Sequence, residues 1–156
     1  MSAHPVSFAN ADGDTLKAVL DRPSGDVRAT ALFAHCFTCS KDFKATSRIA
    51  GSLVESGIAV LRFDFTGLGQ SAGDFADSNF TTNISDLIAA AEWLEDEIGG
   101  PDLLIGHSLG GTAVLAAAAD VPSARAIATI GSPASPSHVR HMLTGAEDEI
   151  QQQGEA

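Results

Sequence analysis

Three things are scarce in this 156-residue chain, and each scarcity excludes something. Cations are few: nine Lys and Arg stand against 20 Asp and Glu, for a formal net charge of -11, and they cluster nowhere. A surface of that sign repels phosphate, which argues against nucleic acid or an anionic membrane as partner and leaves a small neutral or cationic substrate as the better fit. Surplus carboxylates are also what an ordinary solvated surface carries. Long apolar runs are missing, since none approaches the roughly 18 residues that a membrane span needs. Residues 1–10 lack the basic-then-apolar layout of a secretory signal, so the expected location is the cytoplasm. Cysteine is limited to Cys36 and Cys39, a single C-x-x-C directly after His35. A structural zinc site wants a second ligand pair and a thioredoxin-like motif wants a different context, so packing within a loop is the reading taken. A disulfide or redox role stands behind it, and no metal or cofactor is expected.

What the chain has in quantity is apolar sequence, 44% of positions, enough for one domain around one core. Val6 to Ala9 and Leu16 to Leu20 read as strands around the turn signal Asn10-Ala11-Asp12-Gly13, an antiparallel hairpin. Thr30 to Ala34 is a short apolar strand ending at His35. Ala45, Ile49, Ala50, Leu53 and Val54 then recur at helical spacing before Gly57, and Ile58 to Phe63 is another buried strand. A glycine-rich loop from Asp64 to Thr82 precedes a helix carrying Ile84, Leu87, Ile88, Ala91, Leu94 and Ile98 on one face, opened by Thr82 or Asn83 and closed by Gly99. Asp102 to Ile105 is a strand, Leu109 to Ala119 a helix of small apolar residues packed on a sheet, and Ala126 to Ile130 the last strand. Alternation of this kind predicts an α/β fold: a mainly parallel sheet of about six strands with an antiparallel N-terminal hairpin and helices on both faces. After Gly131 a Ser- and Pro-rich loop follows, with a short helical piece from His138 to Leu143. The folded domain is placed at residues 1–143, followed at 144–156 by an acidic tail with four carboxylates and no cation.

Gly106-His107-Ser108-Leu109-Gly110 is a G-x-S-x-G sequence set between a strand and a helix, the context that gives this pentapeptide meaning. The turn is sharp enough to strain Ser108, and side chains at the two glycines would strike the neighbouring strand and helix. The Ser108 hydroxyl then stands at the C-terminal edge of the sheet as a candidate nucleophile. The backbone N–H of Leu109, at the start of the helix, points to the same spot as an oxyanion donor. The bland alternative is a glycine-rich turn with an idle serine.

Three segments, Ala34-His35-Cys36-Phe37-Thr38-Cys39-Ser40-Lys41-Asp42, Phe63-Asp64-Phe65-Thr66-Gly67-Leu68-Gly69 and Gly106-His107-Ser108-Leu109-Gly110-Gly111, together resemble the α/β-hydrolase superfamily. In particular they are similar to the hydrolase half of bacterial proteins in which such a domain precedes an OsmC-like domain. The resemblance implies that His35 and Cys36 take the place of a His-Gly pair after the third strand, with the Phe37 N–H as second oxyanion donor. Cysteine at that glycine position departs from the general superfamily pattern. Gly67-x-Gly69 lacks a following helix and a third glycine, so it does not read as a nucleotide loop. His35 is expected to order the oxyanion loop through a backbone hydrogen bond and His107 to pack beside the elbow. His138 and His141 are taken as surface residues.

In this fold the acid and the histidine follow the nucleophile on later loops. Only one strand follows Ser108 here. Asp120 lies beyond a helix of about 12 residues, which carries it some 18 Å toward the other end of the sheet, and no Asp or Glu recurs before Glu147. The expectation is therefore the front part of a serine-hydrolase domain acting on a small ester, thioester or amide, with its acid and base not supplied and the OsmC-like portion absent. A non-catalytic binding module and one half of a split hydrolase are the alternatives. The strand Ala126 to Ile130 is expected to be an exposed sheet edge, prone to self-association or to pairing with a partner.

Overall fold

A computed structural model describes residues 2–36 and 39–134. The chain opens with β1 (Ser2–Ala9) and β2 (Thr15–Arg22), an antiparallel hairpin. Asn10 shapes the turn between them, its Oδ1 accepting from the amides of Asp12 at 3.0 Å and Asp14 at 2.8 Å. There follow β3 (Ala29–Ala34), α1 (Lys44–Glu55), β4 (Ile58–Phe63), α2 (Phe80–Ile98), β5 (Leu103–His107), α3 (Leu109–Ala117) and β6 (Ala126–Ile130). The six strands form one sheet in the order β1-β2-β4-β3-β5-β6. Its first two pairings are antiparallel and the other three parallel.

Alternation along the strands divides the core. Ala31, Phe33, Val60 and Ile105 face α1 and pack against Ala50 and Val54. Leu32, Ala34, Leu61, Phe63 and Leu104 face α2 and α3, where Leu87, Ala90, Leu94, Ala113 and Val114 close over them. Both faces of the central strands are thus covered, which is why β3 and β4 read as unbroken apolar runs rather than as alternating ones. Burial of each large side chain here is worth roughly 1.5–3 kcal/mol.

The regular elements lie where the sequence puts them, with differences at the ends. The hairpin strands are longer than the apolar alternation indicates, because pairing runs on into polar residues, exposed Ser2 opposite half-buried Arg22. Helix α2 starts earlier than expected: its cap is Asn79, not Thr82 or Asn83. Asn79 Oδ1 accepts from the amides of Thr81 and Thr82, and Thr82 Oγ1 accepts from the Asn79 amide. Asn83 is instead a buried helical residue. Helix α3 ends at Ala117, and Ala118–Asp120 tighten into a single 3-10 turn. Among the described residues no helix is long and apolar enough to cross a membrane. The expected boundary between residues 143 and 144, the acidic tail, His138 and His141 all lie outside the described residues.

A polar node stands inside the sheet layer. Arg62 Nε donates to Asp21 Oδ2 at 2.6 Å, and its Nη1 also donates to the Lys41 carbonyl and Ser47 Oγ, so the buried charge is paired with a carboxylate.

Candidate active site

Parallel pairing brings the site together. Ala34 lies beside Phe63 of β4 on one side and Gly106 of β5 on the other, and His107 lies beside Ile130 of β6. The loops that leave these strands at His35, Asp64, Ser108 and Gly131 therefore emerge at one edge. There the sheet's winding reverses around β3, the position where open α/β sheets form their crevices.

Among the described residues Ser108 is the only non-glycine with positive φ, at 54° with ψ -122°. Neighbours on both sides hold it there. Its N–H donates to the Ile130 carbonyl at 2.9 Å, and its own carbonyl accepts from the Gly111 N–H at 2.9 Å and from Ser132 Oγ at 2.9 Å. The two glycines of the pentapeptide are required by contact. A Cβ on Gly106 would strike the Gly110 carbonyl and the Gly111 Cα, and one on Gly110 would strike the carbonyls of Ala34 and His35. Ser108 is half-buried and stands at the N-terminus of α3, where the Leu109 amide, the first of the helix, precedes any intrahelical acceptor and favours negative charge.

His35 is fully buried and stands where the sequence reading puts it, bonding backbone: its Nδ1 lies 2.6 Å from the Cys36 carbonyl. Its Nε2 faces Asp64 Oδ1 at a loose 3.4 Å. With both nitrogens turned to these neighbours, neither is presented to Ser108. Asp64, also fully buried, gathers the surrounding loop. It accepts from the Lys41 amide at 2.6 Å, the Gln70 amide at 3.0 Å and Lys41 Nζ at 3.2 Å. Burial pushes its pKa up, but the contacts with His35, Lys41 and Gln70 prevail and hold the carboxyl at about 2. Lys41 is pulled the opposite way by burial, and Asp42 and Asp64 together leave its pKa raised.

Cys36 and Cys39 are joined in a disulfide, the role the sequence reading ranks behind loop packing. The pair lies beside the elbow: the two sulfurs and a ring nitrogen of half-buried His107 are all within 4.8 Å of one another. Phe37, expected as the second oxyanion donor, lies outside the described residues. Four residues carry roles that the sequence does not announce. Asp64 and Lys41 sit inside quoted motifs yet carry no spacing signal that links the two loops. Ser132 follows a glycine in what reads as a generic Ser- and Pro-rich loop. Nor does the helical face of α2 announce that Asp86 is buried, bonded to the Thr66 amide, Thr66 Oγ1 and Asn10 Nδ2, with burial pushing its carboxyl upward.

A strained serine between β5 and α3, on a sheet wound in this order, matches a known family. A sequence model of the alpha/beta hydrolase family covers residues 31–152. The chain belongs to that family. It superposes on the esterase domain of a Rhodothermus marinus protein with a TM-score of 0.75 and 51% identity, over 90% of this chain and 55% of that one. A lidless serine hydrolase from Xanthomonas campestris gives a TM-score of 0.76 at 29% identity, over 87% of this chain and 64% of the other. The mitochondrial palmitoyl-protein thioesterase ABHD10 of Mus musculus is 39% identical over 75 residues, 48% of this chain and 24% of the thioesterase. This is an esterase-like α/β-hydrolase domain, and it spans little more than half the length of the solved esterase domain.

Proposed function

We propose that Ser108 is the nucleophile of an acyl hydrolase, attacking the carbonyl carbon of a small ester or thioester. The observation that carries this is the strained backbone of Ser108 at the head of α3, since a non-glycine residue at positive φ persists only where its surroundings hold it. The Leu109 amide, and with it the Phe37 amide, stabilises the oxyanion of the tetrahedral intermediate. His35 fixes the start of the oxyanion loop and His107 packs beside the elbow, while Gly106 and Gly110 give the backbone room. The similarity to an esterase domain favours esters, and that to a palmitoyl-protein thioesterase adds thioesters.

The base comes from outside the described residues. Among those, His4 is bonded to Ser2 on the outermost strand, His35 is turned to Cys36 and Asp64, and His107 adjoins the nucleophile in a turn that drives neighbouring side chains apart. Without that base, turnover of p-nitrophenyl acetate rests on oxyanion and binding contributions alone and is feeble. A fluorophosphonate probe, whose capture by the serine also draws on the base, should under prolonged exposure form one slow adduct, at Ser108, found by peptide mass spectrometry and lost in Ser108→Ala. An adduct elsewhere, or none, sinks the assignment and favours a binding module that keeps the pocket without the chemistry. Turnover on the order of 10 per second in this chain alone would place a working base within it.

A further inference from the structure

The disulfide takes no part in acyl transfer as described above, yet it stands in the loop that frames Ser108. Cys36 is 8% exposed, whereas Cys39 is only half-buried and so the more accessible of the two. The Cys36 carbonyl is a junction: it accepts from His35 Nδ1 at 2.6 Å and from the Cys39 amide at 3.0 Å. The His35 ring is in turn set against Asp64, and the His35 carbonyl forms the floor on which Gly110 of α3 rests. One covalent bond thus closes a four-residue turn whose anchor points are shared with the elbow.

We propose that Cys36 and Cys39 form a redox-responsive site, a dithiol–disulfide couple that reversibly sets the loop beside Ser108 and whose reaction partner is a reducing dithiol. A thiolate of that reductant attacks Cys39 Sγ. A reductant–Cys39 bond forms as the Cys36–Cys39 bond breaks, and Cys36 leaves as thiolate next to the His107 ring. The second reductant thiolate then attacks its own sulfur in the mixed disulfide, which frees Cys39 and leaves the reductant as a disulfide. Two electrons pass to the pair, and the two protons of the reductant's thiols end on Cys36 and Cys39. A disulfide oxidant runs the same exchange backward. Opening the bond releases the hold on the Cys36 carbonyl, and with it the setting of the His35 ring against Asp64 and the floor that the His35 carbonyl gives Gly110 at the elbow. This consequence rests on the nucleophile reading, because alignment matters only if an oxyanion forms there.

The test uses the 156-residue chain prepared with the disulfide closed, then reduced with dithiothreitol, then reoxidised with oxidised glutathione. Thiol alkylation and intact mass should count no free thiols, two, and none again. Fluorophosphonate labelling of Ser108 should slow by about tenfold or more in the reduced form, a fraction of what loss of an oxyanion donor costs, and recover on reoxidation. The Cys36→Ser/Cys39→Ser double variant should label at the reduced rate whatever the buffer. Equal rates in the two redox forms, or a chain whose thiols do not pair in glutathione buffer, overturns the proposal. Hydrogen exchange of residues 34–41, read by mass spectrometry, separates this from the nucleophile reading. Protection lost on reduction supports the couple even where no probe reacts, which would count against Ser108 alone. Protection unchanged on reduction overturns the couple.

Discussion

Asp64 is the residue on which the loops beside the elbow converge, and its behaviour with pH follows from its partners. Its carboxyl is held at about 2, below the ordinary 3.8. A carboxylate so depressed adds stability that is fully present above the ordinary value and is lost as pH falls through about 4 toward 2. Asp64→Asn removes the charge while leaving Lys41, itself buried, without that partner, and breaking a buried pair in this way costs about 3–5 kcal/mol. Urea unfolding at several pH values should show the largest gap between the two proteins at pH 7 and a narrowing gap below pH 4. A gap that stays constant to pH 2.5 would mean that Asp64 is not ionised in the folded protein. The sequence displays Asp64 inside a recognisable motif but cannot display its role. That role depends on the pairing of Ala34 with Phe63, which sets two loops side by side that are over twenty residues apart in the chain.

At the level of the element, strand and helix positions were legible because the pattern is simple: runs such as Ile58–Phe63 admit one reading once a helical period flanks them. Ends were less legible. Asn79 caps α2 across a loop whose other polar residues compete equally well on paper, and only the bonds to Thr81 and Thr82 decide between them. The elbow was legible for a stronger reason, since its glycines answer to contacts and not to propensity. Helix α3 can approach β3 only because Gly110 presents no side chain to the carbonyls of Ala34 and His35. Gly110→Ala should therefore push α3 off the sheet, lowering stability by about 1–3 kcal/mol, as overpacking commonly does. It should also slow fluorophosphonate labelling of Ser108. Calorimetric unfolding together with the labelling rate checks both, and an unchanged rate would show that the elbow tolerates the displacement.

For the whole molecule, the asymmetry of the sheet is the leading feature. Its centre is covered on both faces, whereas β6 is exposed along its length and ends the sheet as described, with Ile127 and Ile130 open to solvent and Leu115 of α3 exposed as well. An apolar strand with an open edge and no charge or proline of its own invites pairing. The 156-residue chain is expected to self-associate through β6 of a second copy at tens of micromolar in light scattering, and Ile127→Lys should favour the monomer. A monodisperse wild-type monomer at that concentration would refute this. The same strand has a role in time as well as in space. Ser108 keeps its strained backbone through a bond to the carbonyl of Ile130 and another from Ser132, both more than twenty residues downstream. During synthesis the serine emerges before either of them. A nascent chain ending short of Ile130 lacks both of these bonds, so the backbone of Ser108 gains its last two anchors only once β6 has docked.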